Sequence, residues 1–159
     1  MEGPGKNAWP SAAELALWRP RAGEDTHEQL EQVLLQSLAG SHSDSAMLRV
    51  LPIFLSNVAD LLDWPRLRQR AITEGLAPEL GFITELAGTF SMRWDLLDKA
   101  RDLQPFAVGS QHAYFRVRSS YEQRLVMERT PVVAKRWGFL MNIGEDSFRA
   151  VFEKHRATL

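Results

Sequence analysis

The chain contains no cysteine. That absence excludes disulfides, zinc–cysteine sites, iron–sulfur clusters and thiol catalysis. Apolar runs are short and fall far below the ~20 residues that a membrane-spanning helix needs. The opening Met1-Glu2-Gly3-Pro4 has neither a basic n-region nor an apolar h-region. No signal peptide is expected from it, and the expected location is the cytoplasm. Phosphate-cradling loops of the Gly-x-x-x-x-Gly-Lys-Ser/Thr or Gly-x-Gly-x-x-Gly type are missing, as is a Gly-x-Ser-x-Gly elbow. The four histidines are His27, His42, His112 and His155, and no two stand at the i, i+3 or i+4 spacing of a helical metal site. The carboxylate pairs Glu24/Asp25, Asp60/Asp63 and Glu145/Asp146 all fall where helices are expected to start, and the helix dipole and free N–H groups favour acids there. No nucleophile, base and oxyanion donor assemble from this inventory. The expectation is a non-enzymatic protein with no metal and no cofactor.

What is present is one domain's worth of chain. The sequence has 159 residues, of which 45% are hydrophobic and 25% charged, a soluble globular balance. The net charge of −1 conceals an uneven distribution. Residues 1–63 hold four Lys/Arg against nine Asp/Glu, while residues 93–159 hold twelve against eight. An acidic front and a basic back suit packing within the chain, head-to-tail association, or attraction of phosphate.

Periodicity and capping residues predict helices along most of the length. Residues 1–10, rich in Gly and Pro, read as a flexible leader, and 11–159 as a single helical domain. Ser11 and Glu14 form a capping box for a short helix reaching about Trp18 and stopped by Pro20. Residues 21–25 read as a loop. Thr26 caps a helix with the stripe Leu30, Val33, Leu34 and Leu38, ended by Gly40. The segment from Ala46 to Leu62 is apolar beyond one stripe, which predicts a central helix, kinked at Pro52. Asp63 caps a helix with Pro65 in its first turn and Leu67, Ala71 and Ile72 inward, closed by Gly75. Pro78 opens another, with Leu80, Ile83, Leu86 and Ala87 inward and Gly88 as terminator. Ser91 is expected to cap a third, striped by Trp94, Leu97, Ala100 and Leu103. Trp64, Trp94 and Trp137 are all expected in the core. After Pro105, Phe106-Ala107-Val108 looks extended, and the alternation in Tyr114–Arg118 suggests a short hairpin. Thr130-Pro131 starts a helix lined by Val132, Val133 and Trp137 and ended by Gly138. A last helix carries Phe148, Val151, Phe152 and His155. The predicted fold is mainly α: a bundle of six to eight helices with a small β element between residues 105 and 143.

Two sets of residues suggest contacts with other molecules. Arginines interleaved with aromatics can grip phosphate and stack bases, and Arg66, Arg68, Arg70, Tyr114, Phe115, Arg116 and Arg118 have that character. Trp9 and Trp18 lie in a segment too short to bury them by itself, so they pack on the bundle or on a partner. The candidate partner-binding residues are therefore Trp9, Trp18, Arg66, Arg70, Arg116 and Arg118. A protein is the expected partner and nucleic acid the alternative. A third reading is a structural subunit of a larger assembly.

The string Leu80-Gly81-Phe82-Ile83-Thr84-Glu85-Leu86-Ala87-Gly88, preceded by Asp63-Trp64-Pro65-Arg66-Leu67, resembles the C-terminal helical region of the AbiE-type abortive-infection antitoxins. Thr130-Pro131 with Trp137-Gly138-Phe139-Leu140-Met141-Asn142 is similar to that family's closing segment. The resemblance spans about residues 60–145. It implies a bacterial antitoxin or defence-system regulator that antagonises a toxin-type partner. The chain departs from the family in carrying Pro78-Glu79 where a basic residue is usual. Its acidic first 63 residues also lack a winged-helix pattern, so autoregulatory DNA binding is not implied.

Overall fold

The computed structural model describes residues 10–19, 26–117 and 119–156. Residues 1–9, expected as a leader, residues 20–25, expected as a helix stop and loop, and Arg118 lie outside the described residues. The described residues form α1 (Ala12–Ala16), α2 (His27–Gly40), α3 (Ser45–Val58), α4 (Trp64–Thr73), α5 (Ala77–Ser91) and α6 (Trp94–Leu103). They continue with β1 (His112–Ala113), α7 (Ser120–Arg129), α8 (Val132–Trp137), β2 (Phe139–Leu140) and α9 (Glu145–Arg156). The fold is mainly α, with a small two-stranded element in the C-terminal third. The nine α-helices among the described residues include two very short ones, α1 and α8.

Local chemistry explains most helix starts. Ser11 accepts from the Glu14 amide while Glu14 accepts from Ser11, and Thr26 and Gln29 do the same for α2. Asp44 caps α3, Asp63 caps α4 and Ser119 caps α7 through backbone amides three residues on. Gly75, at φ 73°, ends the turn after α4, and Gly138, at φ 93°, caps α8. Gly40 instead stays right-handed at φ −69°, and the chain runs on into a single 3₁₀ turn at Ser41–Ser43.

α3 and α5 share the centre. α3 packs against α1, α2, α5 and α9, and α5 against α3, α4, α6 and α8. α3 stays helical through the buried Pro52 and closes in a 3₁₀ turn at Ala59–Leu61. Around α5 nearly every residue from Ala77 to Phe90 is buried, as expected of a helix touched on all sides. Phe82 meets Phe148 of α9 and Phe139 of β2, and Phe90 meets Phe152.

Several expectations are corrected. Gly88 does not end α5. The helix runs three residues further, and Gly88 instead gives room to α6: a Cβ there would lie 3.0 Å from the Leu97 side chain. The real stop is Met92, in the left-handed conformation at φ 58°. Ser91 does not cap α6; its hydroxyl donates to the Ala87 carbonyl, and Arg93 takes the N-cap position without a side-chain bond. Ala100 and Leu103 of the expected α6 stripe are buried, but at its N-terminal end Leu96 takes the inward position, leaving Leu97 half-buried and Trp94 79% exposed. Val132 is likewise exposed at the start of α8. Of the segment Phe106–Val108 expected to be extended, Phe106 instead closes a 3₁₀ turn at Gln104–Phe106. In place of a hairpin, β1 pairs in parallel with β2, His112 with Phe139 and Ala113 with Leu140. Parallel pairing needs a long crossover, and α7 and α8 supply it.

Candidate functional site

The arginine candidates of α4 are drawn into the fold. Arg66 and Arg70 stand four residues apart, so they share a face of α4, and that face meets α2. Both reach Glu31, whose side chain is fully buried: Arg66 Nε at 3.3 Å and Arg70 Nη1 at 3.0 Å. Arg66 also reaches Glu28, and Arg70 reaches Gln32 and Glu74. The acidic front of the chain is thus partly neutralised from within. Arg68 lies on the other side of α4, with its guanidinium 5.5 Å from the centre of the Phe106 ring.

Trp18 also turns inward. Its ring meets Phe54 edge-on at 5.8 Å, and its carbonyl accepts from the Asn57 amide at 3.1 Å. It fastens the N-terminal segment to α3. Arg116 stays exposed, on the rim of a cavity of about 130 Å³ under α7 that Phe115, Val126 and Met141 help to line. Trp9 and Arg118 lie outside the described residues. Of the six candidates, then, Arg66 and Arg70 are brought together around Glu31, while Trp18 and Arg116 stand apart.

Two further arrangements join residues that no sequence motif connects. The first is the corner between α5 and α6. Met92 is 82% exposed and Trp94 79%, although both are large and apolar. Arg93 between them is clamped, with Nη2 at 2.8 Å from Asp60 and 2.6 Å from Asp95. Those bonds, Asp95 first and Asp60 next, outweigh its partial burial and hold its pKa above the ordinary guanidinium value. With its charge and donors satisfied by neighbours, Arg93 fixes the turn while the flanking apolar side chains face outward. Met92 is held left-handed in this turn although that conformation costs a non-glycine residue about 1–2 kcal/mol. The sequence offers a faint signal: Leu96, Ala100 and Leu103 make a stripe as good as the one through Trp94.

The second is a network around His42. Its ring stacks on Tyr114 with centroids 3.8 Å apart and planes 19° apart. Nδ1 lies 3.0 Å from the Tyr114 carbonyl and Nε2 2.7 Å from Glu79 Oε2. Both partners accept, so the imidazolium, with two N–H donors, fits the pair of contacts best. The hydrogen bond to Glu79 is the main cause that raises the His42 pKa, against the opposing effect of burial. The Tyr114 hydroxyl meets Ser41 Oγ at 2.5 Å, and burial pushes that phenol's pKa up. The network ties the turn after α2, the start of α5 and the end of β1 together. No local pattern around Ser41-His42-Ser43 announces it, because its partners come from residues 79 and 114.

Among the described residues no helix is long and apolar enough to cross a membrane. Compared with protein-family models, curated proteins and solved structures, the chain matches none.

Proposed function

We propose that the protein is a non-enzymatic protein-binding domain that engages its partner through the α5–α6 corner. The observation that carries this reading is the pair Met92 and Trp94, held outward on either side of a clamped Arg93. Tryptophan is among the strongest anchors of protein interfaces, and a rigid display lowers the entropy lost on docking. The most concrete form of the role is an antitoxin or defence-system regulator that antagonises a toxin-type partner. The likeness of residues 63–67, 80–88 and 130–142 to AbiE-type antitoxins supports that form.

Nucleic acid is the weaker reading. With Arg66 and Arg70 engaged on Glu31, and Arg136 on Glu85 at 2.6 Å, the exposed cations left to grip phosphate include Arg116, Arg124 and Lys135. The two readings separate in a pull-down of the full chain from its native cell at two salt concentrations, half of it nuclease-treated. The protein-binding reading predicts one stoichiometric protein that survives nuclease. Nucleic acid that is lost as salt rises would overturn it, because phosphate binding weakens steeply with salt.

A further inference from the structure

We propose that the groove between α4 and α6 binds a small, flat, apolar monoanion, such as an aromatic monocarboxylate. The groove encloses about 410 Å³, within the range of small-molecule sites. Its apolar lining comes from Trp64, Pro65, Leu80 and Leu103, with Leu80 and Leu103 buried as part of the core. Its charged lining is Arg68 from α4 with Lys99 and Asp102 from α6.

The two cations are set rather than loose. Lys99 Nζ lies 5.3 Å from the centre of the Trp64 ring, and Arg68 lies 5.5 Å from that of Phe106. The Trp64 indole is itself pinned, because Nε1 donates to the Ala59 carbonyl at 3.1 Å. Among the described residues neither Arg68 nor Lys99 has a carboxylate at ion-pair distance. Asp95, one turn before Lys99, is engaged by Arg93 at 2.6 Å. Lys99 also helps hold the Asp95 pKa down from a distance, but neither cation is in a direct ion pair, so both can still meet an anion that enters between the helices. With Asp102 on the same wall, the lining carries one net positive charge, which a monoanion neutralises and a dianion overshoots. An aromatic carboxylate places its ring against the accessible apolar wall of Trp64 and Pro65, above the buried leucines, and its oxygens toward the guanidinium and the ammonium, which make charge-assisted hydrogen bonds. Asp102 accepts a hydrogen bond from a ring N–H or hydroxyl on the same ligand. This site stands independently of the partner-binding corner.

The test titrates the isotope-labelled full chain with 2-naphthoate, with its neutral isostere 2-naphthamide and with 2-naphthyl phosphate, following the Trp64 indole N–H by NMR. The acid is expected to bind saturably and shift that resonance, with the amide weaker by about tenfold. In Arg68→Gln and Lys99→Gln variants the acid is expected to weaken by about tenfold, with the amide unchanged. The phosphate is expected to bind more weakly than the acid in the native chain and to gain on it in Asp102→Asn. The comparison of acid with amide needs no substitution, so a poorly folded variant does not blunt it. Equal binding of acid and amide, a Trp64 resonance that does not move, or tighter binding of the phosphate to the native chain would each overturn the proposal.

Discussion

Gly81 of α5 faces the ring of Trp137 so closely that a Cβ built on it would lie 2.2 Å from two of the ring carbons. The indole fills the space of the missing side chain. Its Nε1 donates to Glu85 Oε1, one turn further along α5, at 2.9 Å. Gly81 lies in the segment Leu80–Gly88 and Trp137 in Trp137–Asn142, so in this fold those two distant segments pack on each other. Gly81→Ala is expected to destabilise the protein by about 1–3 kcal/mol, since a fully buried ring must move to admit a methyl group. A urea midpoint measures it, and an unchanged midpoint would contradict the packing described.

Met92→Gly is expected to act oppositely on stability and on binding. Relief of the left-handed methionine should stabilise by about 1 kcal/mol, read as a higher midpoint at constant slope. The same change removes one of the two exposed apolar side chains of the corner. Partner affinity should therefore fall while stability rises.

The buried Glu31 makes the two α4 arginines unequal. Arg70 is the more buried and the closer of the two. Arg70→Met should cost about 3 kcal/mol, because the buried carboxylate loses its nearer partner. Arg66→Met should cost less, about 1 kcal/mol or below, its side chain being 44% exposed. Equal losses in a urea titration would refute this ordering.

His42 gives stability a pH dependence of known sign. Its folded pKa lies above the ordinary value of 6.5, so the ring holds its proton more tightly in the folded state than in the unfolded one. The contribution is complete below pH 6.5 and is lost as pH rises through the folded value. His155 works the other way: burial, then Lys154 and Arg19, lowers its pKa. The difference between the native chain and His42→Asn isolates the first effect. That difference should be largest in mildly acid solution and shrink on the alkaline side. A difference that grows with pH would contradict the arrangement.

What could be read from the sequence was local. Ser11, Thr26 and Asp63 cap helices through residues three positions on, so their role is written within one turn. The stripes of α2 and α9 are readable for the same reason. Gly88 misleads because a glycine that admits a neighbouring helix looks like one that ends its own. Trp94 misleads because either it or Leu96 can begin an inward stripe that continues through Ala100 and Leu103, and only the packing against α5 chooses between them. The pairing of β1 with β2, the convergence of Arg66 and Arg70 on Glu31, and the stacking of His42 on Tyr114 all join residues far apart in the chain. Short-range periodicity carries no trace of them. For that reason the mainly α class was legible, while the corner, the groove and the histidine network were not.

Met92 and Trp94 are proposed as the partner-binding surface. The most direct test measures the affinity of the captured partner for the native chain and for a Met92→Ser, Trp94→Ser double variant, with matched thermal stability as the control for folding. The prediction is a loss of about 2 kcal/mol or more, at least thirtyfold in affinity, as for an interface anchor. Full affinity in the double variant would place the partner elsewhere and contradict the account.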